Sequence, residues 1–198
     1  LRGKSKCCNN SLSPQYLIVE ICGGLASFAA FYFYSGPTLE ALYAYILIMS
    51  LLIIFFTDLN EYIIPDAITY SLSLLGIFHV YMGNSIFDIS LINSIFSGFF
   101  AGGIFFITAK LFFMIRGVEG MGMGDVKMIA MVGFWMGIEN TILVIILSSL
   151  LGSIIGISLI IYNKIERTTH IPFGTFISAG TVLIWINTLT LGLNIFSL

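Results

Sequence analysis

The chain has 198 residues, 58% of them hydrophobic and only 9% charged, with a mean hydropathy of +1.03 and a net charge of −2. A soluble domain carries about a quarter charged residues and has no use for this much apolar surface, so the composition excludes a water-soluble globular fold and points to lipid as the solvent. No basic cluster with interleaved aromatics is present, so nucleic acid is not an expected partner, and Cys7, Cys8 and Cys22 give no disulfide framework.

Leu1 opens the chain without the short apolar region of a signal peptide, and a fragment of a longer protein is expected. Seven apolar runs follow, separated by short polar breaks. The first covers about 16–34 and stops at "SGP". The second covers about 39–56 and stops at "TDLNEYIIPD". The third, about 67–82, ends at "GNS", and the fourth, about 89–115, at "RGVEGMG". The fifth is short, about 126–136, and ends at "GIEN". The sixth, about 141–162, ends at "NKIERTTH", and the seventh covers about 172–191. The runs are continuous rather than alternating, which favours helices over a barrel. The expected fold is an all-α, polytopic membrane bundle of about seven transmembrane helices. Residues 1–15 are expected to be the remnant of a cytoplasmic loop, and 16–198 the membrane-embedded domain.

Charge tests this threading. Arg2, Lys4 and Lys6 precede the first run, Lys110 and Arg116 end the fourth, Lys127 opens the fifth, and Lys164 and Arg167 lie between the sixth and seventh. Seven spans place all eight cations on one side, and the opposite loops near Pro37, Asn84 and Glu139 carry none. The positive-inside rule makes the charged side cytoplasmic. Asp58 and Asp125 then share the cytoplasmic face. The fifth run rises about 17 Å at about 1.5 Å per residue, against a hydrocarbon core of about 30 Å. A span this short implies that Asp125, with Asp58, lies in a wet notch just inside that face.

Each acidic residue has a plain reading beside the functional one. Asp125 sits before an apolar run, where Asp commonly caps a helix. Gly122-Met123-Gly124-Asp125 is a weak pattern in a glycine-rich chain, but an ionisable residue at a span is functional by default. Asp58 ends an unbroken apolar run, as a solvated helix terminus also would. Asp66 follows Pro65 and reads as helix-start geometry. Glu61 reads as an exposed loop charge, and Lys127 as a residue snorkelling to the interface. Glu20 needs protein or the notch beside it. His79 reads as a satisfied packing residue, and His170 is isolated.

Two carboxylates that meet cannot both ionise, so one keeps a proton. Such a pair can take a proton from water and give one to a leaving amine, which is peptide hydrolysis without a metal or a nucleophilic side chain. Neither a His-Glu-x-x-His zinc pattern nor a Gly-x-Ser-x-Gly elbow competes. Two other classes stay open: an ion-coupled transporter using paired carboxylates, and a structural assembly protein whose glycines, such as Gly98 and Gly102, serve helix packing.

"EGMGMGDVKMIAMVGFWMG" closely resembles the motif of type IV prepilin peptidases, a branch of the Gly-x-Gly-Asp membrane aspartic proteases. "TDLNEYIIPDAIT" resembles that family's first catalytic segment, "HIPFGTFISAG" its late Ile-Pro-Phe-Gly segment, and "LRGKSKCCNNSLSPQYLIVE" the end of its cytoplasmic loop. The resemblance implies catalytic roles for Asp58 and Asp125, with Gly122, Gly124, Pro65, Asp66 and Lys127 supporting the motifs. It implies an aspartic endopeptidase of the bacterial cytoplasmic membrane that cuts the basic leader from prepilin or pseudopilin precursors, its active site toward the cytoplasm. Glu61 and Glu119 are candidates for binding that leader. Many members then methylate the new N-terminus with S-adenosylmethionine; the peptidase step itself needs no cofactor. Members with a metal site carry Cys-x-x-Cys pairs in the loop. Here Ser5 stands where one of those cysteines belongs, with Cys8 at the last position, so no metal is expected. The chain is expected to lack the family's first span and the start of its loop.

Overall fold

The structure is a computed structural model and describes residues 14–118, 120–162 and 171–191. Within these residues the chain forms six helices and no strand: α1 (Pro14–Phe33), α2 (Leu39–Glu61), α3 (Asp66–Tyr81), α4 (Leu91–Arg116), α5 (Met123–Ile161) and α6 (Phe173–Leu191). All but α3 are long and apolar enough to cross a membrane, and α3 has 16 residues. The chain is therefore a multi-pass helical membrane protein.

Starts and stops follow local chemistry. Thr38 caps α2 by accepting the Ala41 amide at 3.2 Å, and Ser90 caps α4 by accepting the Asn93 amide at 3.2 Å. Gly117 ends α4 in the left-handed conformation that glycine adopts freely. Tyr62 ends α2 in the same conformation, with φ 56°, and its amide donates to the Asp58 carbonyl at 3.0 Å.

The seven expected runs appear as seven helical limbs in six continuous elements, and the difference lies at one join. The runs read as fifth and sixth form one element, α5, broken at Gly137 (φ 73°, ψ 175°) rather than parted by a loop. Only glycine takes that backbone conformation readily. Side chains supply the bonds the break removes. The Ile138 amide donates to Asn93 Oδ1 at 3.3 Å, and Ser94 Oγ donates to the Phe134 carbonyl at 2.6 Å. Thr141 Oγ1 donates to the Gly137 carbonyl at 2.6 Å, and Asn140 Nδ2 to the Met136 carbonyl at 3.2 Å. The first limb of α5, residues 123–136, rises only about 21 Å.

That limb packs almost backbone to backbone on α4. A Cβ on Gly133 would lie 2.7 Å from the Ser97 carbonyl oxygen and 2.8 Å from Gly98 Cα, and one on Gly102 would lie 2.7 Å from Ala130 Cβ. Small residues permit this approach, as is usual between helices in lipid. Trp135, fully buried, donates its indole N–H to the Leu72 carbonyl at 2.8 Å and stacks on His79 at 4.4 Å between ring centroids. His79 is buried as expected but not fully satisfied: Nδ1 faces the Gly76 carbonyl, while Nε2 has no partner. In α1, which packs on α2, Ala30 is the buried residue, and Glu20 is exposed.

The C-terminal ends of α2 and α4 and the N-terminal ends of α3, α5 and α6 converge at one end of the bundle, where residues of all five line a common cavity. The Gly137 break lies toward the other end.

The α4–α5 contact generates the first prediction. Gly133→Val should lower the thermal midpoint in detergent by the equivalent of about 1–3 kcal/mol, the cost of overpacking against atoms that cannot yield. Gly103→Ala, with nothing within 4 Å of the added carbon, should leave it unchanged. Equal midpoints for Gly133→Val and wild type would contradict the close approach.

Candidate active site

Asp58 sits in the last turn of α2 and is 4% exposed. Its Oδ2 accepts the Thr175 amide at 2.7 Å and the Thr175 hydroxyl at 3.1 Å. Thr175 lies in the first turn of α6, where amides lack helical partners and the helix dipole favours negative charge. The carboxylate of one helix thus caps the start of another. Gly174 makes room: a Cβ there would lie 3.0 Å from Asp58 Oδ2 and 2.6 Å from Ile64 Cδ1. Ile64, in the link between α2 and α3, also meets Gly124, whose added Cβ would lie 3.1 Å from Ile64 Cβ. One isoleucine therefore spaces three segments, and both glycines are where side chains would push them apart.

Asp125 is in the first turn of α5 and half-buried. It is not the helix cap considered in the sequence; Gly122 is. The Asp125 amide donates to the Gly122 carbonyl at 3.1 Å, and a Cβ built on Gly122 would lie 3.5 Å from Asp125 Oδ2.

The two carboxylates line the same cavity, of about 1030 Å³, and are near enough for the charge of Asp58 to act on Asp125. Thr108 of α4, Ser149 and Ser153 of the second limb of α5, and Phe176 of α6 form other parts of its wall. Among the described residues the lining includes three carboxylates, counting Asp66, and no cationic side chain. A space of this size between two carboxylates, one buried and one half-buried, can admit a peptide segment and a water molecule.

The remaining sequence candidates divide. Asp66 is the first residue of α3, after the cap residue Pro65, and binds Lys127 through both oxygens at 2.8 Å. Lys127 also lies over the Tyr70 ring, 5.4 Å from its centroid, so it is engaged with α3 rather than simply snorkelling. The pair joins the two motif-bearing helix starts. Glu61 ends α2, exposed, and is not among the lining residues. Glu119, Ser5, Cys7, Cys8 and His170 lie outside the described residues. Among the described residues no group of three or more His, Cys, Asp or Glu side chains gathers as metal ligands do. Thr175 and Ile64 were not singled out in the sequence. Both fall inside quoted motif segments, but their contacts are long-range.

The sequence model of the type IV leader peptidase family matches residues 45–157, a stretch that includes Asp58, Asp66 and Asp125 but not Thr175. The chain is 34% identical to a protein of Stutzerimonas stutzeri over 188 residues, covering 93% of this chain and 63% of that one. It is 33% identical to one of Pseudomonas aeruginosa over 189 residues, with 93% and 63% covered. It is 31% identical to one of Aeromonas hydrophila over 192 residues, with 96% and 65% covered. Each relative bears the name prepilin leader peptidase/N-methyltransferase. The chain spans a little under two thirds of the length of these relatives. No solved structure matches it.

The Asp66–Lys127 pair is partly exposed, with side chains 57% and 27% accessible, so its stabilisation should be small. A double-mutant cycle of Asp66→Asn and Lys127→Met, read by thermal unfolding in detergent, should give a coupling of about 0.2–1 kcal/mol that shrinks in high salt. A coupling indistinguishable from zero at low salt would mean that the pair does not hold the two helix starts together.

Proposed function

The chain belongs to the type IV leader peptidase family, and from that premise we propose that it is an intramembrane aspartic endopeptidase. Its substrates are type IV prepilin or pseudopilin precursors, cut at the end of their basic leader at the cytoplasmic face of the bacterial cytoplasmic membrane. The observation that carries this reading is the placement of Asp58 and Asp125, from different helices, on one cavity at one end of the bundle.

The chemistry follows from the pair. With one carboxyl protonated and the other ionised, the ionised member takes a proton from water as its oxygen attacks the scissile carbonyl carbon. The protonated member donates to the carbonyl oxygen as negative charge develops there. The tetrahedral intermediate then expels the amine, which leaves with a proton returned by the carboxyl that took one from water, while the hydroxyl formed from the carbonyl oxygen gives its proton back to the other carboxyl as the C=O bond reforms. The C–N bond breaks, a C–O bond forms, and both carboxyls return to their starting states.

The substrate reading fits the rim. A basic leader meets the acidic lining of the cavity, and the anionic inner leaflet adds about 1 kcal/mol per leader cation. Glu61, exposed at the end of α2 beyond the cavity wall, is a candidate to hold the leader as it approaches, and Glu119 is another. The N-methylation in the relatives' names would require S-adenosylmethionine. Among the described residues the carboxylates of the lining suit its cationic sulfonium and amine but offer its carboxylate no cation, so these residues assign it no site.

Asp58→Asn and Asp125→Asn should each abolish cleavage of a type IV prepilin in membranes, by at least about a hundredfold, with the protein present at wild-type level. Near-normal cleavage by either variant would remove the paired-carboxylate assignment. Orientation is tested separately. Met123 lines the cavity and is 50% exposed. With the three native cysteines changed to serine, Met123→Cys should react with a membrane-impermeant maleimide in inside-out vesicles and not in intact spheroplasts. The reverse labelling pattern would turn the topology over.

A further inference from the structure

Resting on the assignment of Asp58 as one of the two reacting carboxyls, we propose that Thr175 is its positioning residue: by holding Oδ2 on the start of α6, it leaves Oδ1 as the oxygen that exchanges the catalytic proton. A carboxyl group on its own does not distinguish its oxygens, because its terminal torsion is broad and roughly two-fold. Here the surroundings distinguish them. Oδ2 receives two donors from one residue, the amide at 2.7 Å and the hydroxyl at 3.1 Å. An ionised carboxylate oxygen has about two lone-pair sites. Both sites of Oδ2 are engaged, so a proton can reach it only by breaking one of these bonds.

The hydroxyl has one hydrogen and two acceptors within reach. The Phe55 carbonyl lies at 3.4 Å and Asp58 Oδ2 at 3.1 Å, and the shorter contact is also the charge-assisted one. Asp58 and Thr175 are each 4% exposed, so water hardly competes for the bond. The absence of a side chain at Gly174 completes the arrangement, since a Cβ there would press on Oδ2 from 3.0 Å. Thr175 is not among the residues that line the cavity, and its bonds are to Oδ2 rather than to Oδ1. Its effect runs through the orientation of Asp58, and orientation is realised in the transition state rather than in substrate binding.

Thr175→Val keeps the branched shape and the amide but removes the hydroxyl. Measured on the detergent-solubilised protein with a type IV prepilin as substrate, it should lower kcat about tenfold at unchanged KM, the order of one hydrogen bond to a charged group. Thr175→Ser should restore kcat to within about twofold of wild type, because it returns the hydroxyl. Thr175→Ala serves in the same way if the valine variant fails to insert. Wild-type kcat in Thr175→Val, a serine variant as slow as the valine one, or a loss confined to KM would each overturn the proposal. Asp58→Asn, assayed alongside, separates the two assignments. An inactive Asp58→Asn with a fully active Thr175→Val defeats the positioning role alone, whereas an active Asp58→Asn defeats the catalytic reading on which it rests.

Discussion

Lipid supplies no hydrogen bonds, and this constraint governs every place where the chain leaves helical geometry inside the bundle. At Gly137 the backbone of α5 breaks, and four side chains, those of Asn93, Ser94, Asn140 and Thr141, take up backbone groups around the break. At the start of α6 the same need is met by a charge: Asp58 accepts from Thr175 where no helical carbonyl is available. One solution uses neutral groups and leaves a structural joint. The other brings a carboxylate to a helix start beside a cavity, and a group able to do chemistry is positioned by the same bond that satisfies the fold.

The glycines serve the bundle in two distinct ways. Gly98, Gly102 and Gly133 let α4 and the first limb of α5 approach until backbone meets backbone. Gly124 and Gly174 make space for Ile64, which separates the start of α5 from the start of α6. The first group brings α5 against α4, and the second lets Ile64 sit against the starts of both α5 and α6. A larger residue at any of these positions moves a carboxylate, although Gly98 and Gly133 lie on the packing seam and not on the cavity. This is why a stretch so rich in glycine is tolerated beside Asp125 despite the cost of glycine in helices.

Much of this was legible in the sequence. Hydropathy located the helices because lipid-facing surfaces need apolar side chains all round, and the charge asymmetry placed both carboxylates at one end. The two Asp-bearing segments and their glycines were visible as motifs. What was hidden depended on contacts between distant segments. The "GIEN" stretch reads as a loop by polarity, yet Asn93 on a different helix allows it to be a break within one. Asp125 reads as a cap, but the glycine at Gly122 occupies that position. Lys127 reads as a lone interfacial cation because its partner Asp66 is far away in the chain. Thr175 carries no signal of its own, since a threonine in a helix first turn is ordinary until the end of α2 is known to face it. His79 looked like a satisfied core residue, and one of its ring nitrogens is not.

Two chemically identical side chains must act differently if one is to give a proton while the other takes one. Their surroundings already differ. Asp58 is almost fully buried and held by a residue on another helix, so its orientation is set by the contact between α2 and α6. Asp125 is half-buried and stands in the first turn of α5, where its amide donates to the Gly122 carbonyl. The first limb of α5 is then located by its seam with α4, and Ile64 sets the spacing from the α6 start. The asymmetry of the pair arises because one carboxylate belongs to the tertiary fold and the other to a helix terminus that the fold has carried to it.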